Sequence, residues 1–139
     1  MAIEGLGRLF NFVPIAAGTL LSMKDAEGIM FFVSGDDTFT LKTAPTEAGS
    51  LTTLATITGY YTNTSTAGAA EWVAATQAAA DTVVIASGAA AFFVDAADLP
   101  SAAEYVSVTP TGSGLVYAVV QPVVNRAPAN LRQLSGSSS

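Results

Sequence analysis

Few side chains in this chain of 139 residues could carry out acid–base, nucleophilic or metal chemistry. Histidine and cysteine are both absent. Their absence excludes a Ser-His-Asp triad, an imidazole base, a thiol nucleophile, a disulfide and iron–sulfur or zinc–thiolate sites. The Asp and Glu residues, 11 in all, therefore remain as the candidates for acid–base catalysis or for oxygen ligation of a cation.

Two acidic residues, Asp95 and Asp98, are spaced so that they could both contribute oxygens to a calcium site. Calcium takes about six to eight oxygen ligands, and two carboxylates fall short of that number. Pro100 follows closely and would stop a helix, while Asp95 could accept backbone N–H groups at its start. The pattern therefore favours one capped helical turn over a metal site.

Three glutamates, Glu47, Glu71 and Glu104, could supply the carboxylate pair of a glycosidase. So few other polar residues are available to position a sugar that we do not assign this role. The letters Gly35-Asp36-Asp37 match a polymerase metal turn, but a polymerase palm needs a much longer chain with further carboxylates. We therefore predict no catalytic residue, no cofactor and no metal.

Two further motifs are open to a functional and a structural interpretation. Asn63-Thr64-Ser65 fits the glycosylation pattern, which is common by chance, and we interpret it as a loop. The aromatic residues Tyr60, Tyr61 and Trp72 could form a platform on which a sugar stacks. Aromatic residues at strand spacing more often belong to a core or to a protein interface, and we favour that interpretation.

The charge balance indicates which kinds of partner the chain could bind. Its formal net charge is −6, and no Lys or Arg lies between Thr43 and Asn125. Nucleic-acid binding needs clustered basic residues that release counterions, so we predict no nucleic-acid partner. No apolar run approaches the roughly 20 residues of a membrane-spanning helix, and we predict no membrane partner. The segment 9–23 also lacks the positive start of a signal peptide.

The composition nevertheless predicts a surface that meets other protein. Charged residues make up 12% of the chain and hydrophobic residues 50%, whereas ordinary soluble domains contain about 25% charged residues. Interface cores are depleted in charge, so subunit contacts would bury the apolar excess. We therefore expect a homo-oligomer or close packing against neighbouring copies and other subunits, in preference to an unusually apolar monomer.

The local patterns predict short strands separated by turns. Residues 28–33 form an apolar run that predicts a buried strand, and the alternation over residues 38–43 predicts a half-buried one. The Ser34-Gly35-Asp36-Asp37 turn between them predicts a hairpin. The remaining predicted strands cover residues 51–64, 72–76, 82–86, 91–94, 105–109 and 115–124. For the Ala-rich stretch 69–81 a helix stays open as the alternative, and we favour a strand at 72–76. The fold class is mainly β: a single antiparallel β-sandwich or barrel-like domain over residues 14–124, with little helix. Residues 1–13 are predicted to form an extended N-terminal arm and residues 125–139 an extended C-terminal tail.

Four segments together resemble a known group of proteins. They are GDDTFTL at 35–41, YYTNTSTAGAAEWVAATQAAADTVVIASG at 60–88, VDAADLPSAAEYVSVT at 94–109 and RAPANLRQLS at 126–135. In style and order they resemble the small structural proteins encoded beside the major capsid gene in tailed bacteriophages, especially those of actinobacterial hosts. Members are usually taken as minor capsid or head decoration proteins. The resemblance implies a β-rich body on the capsid exterior of the virion, whose chain ends grip the major capsid protein.

On that interpretation the contacts with the capsid lie near the two ends of the chain. Apolar residues would supply contact area and the two arginines would fix the register; the expected contacts are Leu9, Phe10, Phe12, Arg126, Leu131, Arg132 and Leu134. Two alternatives stay open. One is a tail tube or head–tail connector subunit, and the other is a secreted carbohydrate-binding module built on Tyr60, Tyr61 and Trp72.

Overall fold

A computed structural model describes residues 11–15, 19–23, 26–64, 70–100 and 103–122. These residues are mainly β, as predicted, with a single turn of 3-10 helix at Ala96–Asp98. The strands are β1 (Asn11–Ile15), β2 (Leu21–Ser22), β3 (Ala26–Ser34), β4 (Asp37–Ala44), β5 (Thr52–Thr53), β6 (Ile57–Asn63), β7 (Val73–Ala80), β8 (Thr82–Ile85), β9 (Ala89–Asp95), β10 (Tyr105–Pro110) and β11 (Leu115–Pro122).

The strands form two antiparallel sheets that enclose the core, which confirms the predicted β-sandwich class. The first sheet has six strands in the order β1-β11-β3-β9-β6-β7. The second has the order β2-β10-β4-β5, and β8 also pairs with β4. The inward side chains of both sheets meet in one cluster whose largest fully buried members include Phe31, Phe39, Phe92, Ile29 and Leu41.

Side-chain alternation divides β3 between the core and the surface. Ile29, Phe31 and Val33 are buried, whereas Met30 and Phe32 between them are only partly buried. Residues 28–33 were expected to be a buried strand, and this holds for one face only. The run looks uniformly buried in the sequence because both faces of the strand carry large apolar residues.

The predicted hairpin between residues 28–33 and 38–43 is wrong, although both strands and the turn between them exist. Strand β3 pairs with β9 and β11, and β4 pairs with β5, β8 and β10, so the turn carries the chain from one sheet to the other. Gly35 has a φ of 108°, which suits glycine at such a turn. Both edges of β3 are taken by more distant strands, and turn residues alone do not reveal that competition.

Three connections between the sheets lie together at one end of the sandwich. They are the turn at Gly35, the turn at Gly88 and the segment from Pro110 to Gly114. The Gly35 N–H donates to the Gly88 carbonyl at 3.1 Å, and the Thr111 N–H donates to the Thr38 carbonyl at 3.0 Å. These bonds fix how the two sheets are placed relative to each other.

Strands β6 and β7 form a hairpin at one edge of the first sheet. Residues 72–76 were predicted as a strand, and β7 confirms this while extending to Ala80. The register with β6 shifts between Ile57 and Gly59, and the Gln77 side-chain amide donates to the Ile57 and Thr82 carbonyls there. Asn63 is the last residue of β6, so its interpretation as part of a loop is wrong; its amide donates to the Ala70 carbonyl at 2.9 Å.

Strand β1 crosses the predicted boundary between arm and body. It pairs with β11 from Asn11, opposite Val120, to Ile15, opposite Val116. Pro14 suits this edge position, since proline cannot donate to a further strand. The division of the chain into arm, body and tail stays a prediction, because residues 1–10 and 123–139 lie outside the described residues. In the described part of the chain, no helix is long and apolar enough to span a membrane.

Candidate interaction surface

The outward side of the first sheet is an aromatic and aliphatic surface, which we call the outer face. Strand pairing places Val119 beside Met30 and Phe93, and Tyr117 beside Phe32, Ala91 and Tyr61. The large apolar members of the outer face are Met30, Phe32, Tyr61, Trp72, Phe93, Leu115, Tyr117 and Val119. Five of them are clearly exposed, from Tyr117 at 37% to Leu115 at 56%.

Trp72 and Phe32 hold the centre of the outer face together. Their ring centroids are 6.3 Å apart, with an interplanar angle of 71°, so the rings meet edge to face. Ala91 lies beside Phe32 in register, and its small side chain leaves room for the indole to approach across the sheet. Trp72 stays 47% exposed, so its ring is positioned by the sheet but still available to a partner.

Gly28 leaves space on the outer face for the ring of Phe93. A Cβ atom at Gly28 would lie 2.2 Å from Cζ of Phe93, so the ring covers the backbone of β3 where a side chain would otherwise stand. Phe93 is 44% exposed, whereas the preceding Phe92 is buried on the opposite side of β9. Alternation in one strand therefore assigns one phenylalanine to the core and the next to the surface.

The outward sides of the two sheets differ in composition. By register, the outward positions of β4 and β8 include the partly buried Thr38, Thr40 and Thr82 together with the exposed Val84. Lys42 is also there and is the only basic residue among those described. Among the described residues, the exposed aromatic side chains Tyr61, Trp72, Phe93 and Tyr117 all belong to the outer face of the first sheet.

The outer face is large enough and sufficiently uncharged to bind protein. Four strands at a spacing of about 4.8 Å and six residues at about 3.3 Å each span about 380 Å² of sheet. Apolar patches of this size are often functional. Among the residues of β9 and β11 that pair with Gly28 to Ser34 of β3, Asp95 at the end of β9 is the one charged residue. A partner could thus cover the rest of the face without burying an unpaired charge.

The predicted aromatic platform is divided between the two sides of the sheet. Tyr61 and Trp72 lie exposed, whereas Tyr60 is partly buried and packs against the core cluster. Sequence reasoning missed their neighbours Met30, Phe32, Phe93, Leu115 and Tyr117. The signal that could have found them is alternation within residues 28–34 and 115–121, where each run carries a second apolar face.

Asp95 has a structural role, and the three candidate glutamates lie in connections between strands. Asp95 caps the 3-10 turn by accepting from the Ala97 N–H at 3.0 Å, as predicted. Glu47 lies between β4 and β5, Glu71 precedes β7 and Glu104 precedes β10. Among the described residues, no group of three or more Asp or Glu side chains is arranged to hold a metal ion.

Among the described residues, Asp37 is the most extensively hydrogen-bonded carboxylate, and it joins two of the connections between the sheets. Its oxygens accept from the backbone N–H groups of Thr38, Thr111, Gly112 and Gly114 and from the Thr111 hydroxyl, over 2.5 to 3.1 Å. These donors, with the Thr111 hydroxyl first, hold the pKa of Asp37 well below its ordinary value of 3.8. Its role here is structural: it joins the start of β4 to the segment leading into β11.

The predicted capsid contacts lie almost entirely beyond the described part of the chain. Phe12 is in β1, where its backbone pairs opposite Val119. The other six residues, Leu9, Phe10, Arg126, Leu131, Arg132 and Leu134, are outside the described residues. Their roles stay predictions.

Comparison with known proteins finds little that is similar to this chain. No protein-family model matches it, and no curated protein matches it. Among solved structures it is similar to the SPBc2 prophage-derived protein YomS. The two share 10% identity and a TM-score of 0.41 over 81% of this chain and 94% of that one, a likeness too slight to carry an argument about function.

Proposed function

We propose that this protein is a structural component of a phage virion, a capsid decoration protein that binds the outside of the head and stabilises the lattice of the major capsid protein. The observation that carries the proposal is the outer face, where five of the eight large aromatic and aliphatic side chains are clearly exposed on one sheet. The resemblance of the sequence segments to head decoration proteins points to the same role.

The mechanism is linkage between binding and assembly. A protein that binds only the assembled lattice stabilises it in proportion to the logarithm of its free concentration over Kd. Burying aromatic surface such as that of Trp72 and Tyr61 would supply the binding free energy. Many equivalent copies would each hold neighbouring capsid subunits, and segments at the chain ends would add further contacts by avidity.

The alternative roles differ in copy number and in ligand. A connector subunit would be present in a dozen or fewer copies, and a tail tube or connector subunit would form rings or tubes unaided. A decoration protein instead approaches the copy number of the shell protein. A carbohydrate-binding module has one supporting observation, since Tyr61 and Trp72 are both exposed on the outer face. Quantitative mass spectrometry of purified virions and a glycan array separate these roles.

The direct test is co-sedimentation with empty heads assembled from the major capsid protein of the phage that encodes this chain. We expect the full chain to saturate the heads, and deletion of residues 1–10 or 126–139 to abolish binding while the body stays folded. The first deletion stops before β1, so the edge of the first sheet stays paired. Normal decoration by both truncated chains would refute the terminal contacts, and failure of the full chain to bind would refute the function.

A further inference from the structure

A shallow hollow at one end of the outer face brings two carboxylates beside an aromatic ring. It has a volume of about 470 Å³ and is lined by Ala26, Glu27, Phe93, Asp95, Ala96, Ala97 and Gln121. Phe93 belongs to both the hollow and the outer face, so the two surfaces are continuous. A partner that covers the outer face as far as β9 therefore also reaches the hollow.

The carboxylates of this hollow have capacity to accept further hydrogen bonds. Asp95 uses Oδ1 to cap the 3-10 turn through the Ala97 N–H. Neither its Oδ2 nor the Glu27 carboxylate accepts a hydrogen bond from another described residue. Two carboxylates are too few to hold a metal ion, and no metal-binding group of three occurs among the described residues. The hollow suits instead a cationic side chain, which carboxylates and a ring attract together.

Resting on the proposed function, we infer that the outer face binds a capsid protein surface whose apolar patch ends in a lysine or arginine, with that cation seated between Glu27, Asp95 and Phe93. The cation fixes the direction in which the partner lies across the sheet. Charge complementarity of this kind supplies specificity and speeds association more than it adds affinity.

The described outer face of a second copy offers the hollow no cation. It carries carboxylates at the hollow and, among the described residues, no basic side chain. Lys42, the only basic residue in the described part of the chain, is on the outward side of the other sheet. Like charges brought together across an interface oppose association. The charges of the described residues therefore favour a different protein as the partner.

The test replaces the two carboxylates without changing the shape of the hollow. Glu27→Gln combined with Asp95→Asn removes both charges and keeps an oxygen to cap the turn. Asp36→Asn is the matched control, because Asp36 is exposed at the turn between β3 and β4, away from the hollow. Binding to the assembled heads is measured at about 50 mM and about 500 mM salt, which screens exposed charges strongly at the higher value.

At low salt we expect the double variant to bind about tenfold more weakly than the unaltered chain, because two exposed ion pairs are lost. The Asp36→Asn control should bind as tightly as the unaltered chain. The difference should shrink at high salt. Equal affinity of the double variant and the full chain at both salt concentrations would overturn the inference, as would an equal loss in the control. Self-association of the isolated chain that the double variant loses would also overturn it, by identifying a second copy as the partner. If the unaltered chain does not bind heads at all, that result refutes the proposed function, on which this inference depends.

Discussion

Trp72→Ala is the substitution that most directly tests the outer face as a binding surface. Trp72 is 47% exposed, and a tryptophan side chain offers at most about 250 Å², so about 120 Å² is available for a partner to cover. At about 25 cal/mol per Å², covering that area contributes about 3 kcal/mol. We therefore expect Kd for the assembled heads to rise by about a hundredfold.

The control must separate a lost contact from a general loss of surface hydrophobicity. Val84 on β8 is 65% exposed and belongs to the second sheet, so Val84→Ala removes exposed apolar area away from the outer face. The assay is sedimentation of labelled protein with heads over a range of concentrations, with circular dichroism to verify folding. If Trp72→Ala changes Kd less than threefold while the full chain binds, or if Val84→Ala has an equal effect, the outer face is not the contact surface.

Two further predictions concern the sandwich itself. Asp37→Asn should lower the melting temperature at pH 7. Because the folded-state pKa of Asp37 lies below its ordinary 3.8, the stability it contributes is complete above pH 3.8 and is lost as the pH falls below that value. The difference in melting temperature between Asp37→Asn and the unaltered chain should therefore be smaller at pH 3 than at pH 7. A difference in melting temperature that stays constant with pH would contradict this role. Phe92→Ala should lower the free energy of unfolding in urea by about 3–5 kcal/mol, since Phe92 is 2% exposed and its ring centroid lies 5.6 Å from that of Phe31. The exposed neighbour Phe93 provides the control, and equal losses from Phe92→Ala and Phe93→Ala would show that β9 does not divide core from surface as described.

The local elements could be predicted because their causes are local. Alternation identified β4 and β10, the Asp95 side chain with Pro100 identified a capped turn, and strand-forming residues identified β8. Each of these depends on neighbours within a few residues, which is the range over which backbone preferences and side-chain periodicity act. The mainly β class and the sandwich follow from their number and spacing.

Strand pairing and the surface it creates were decided by the tertiary structure. The turn at Gly35 is compatible with either a hairpin or a crossing between sheets, and only competition from β9 and β11 for the edges of β3 selects the crossing. Likewise, Phe32, Phe93 and Tyr117 are far apart in the sequence, and register alone places them on one face, where Phe32 meets Trp72. The amino-acid sequence by itself determined that the chain has apolar surface to bury; which residues share that surface depends on long-range hydrogen bonding, which no local pattern encodes.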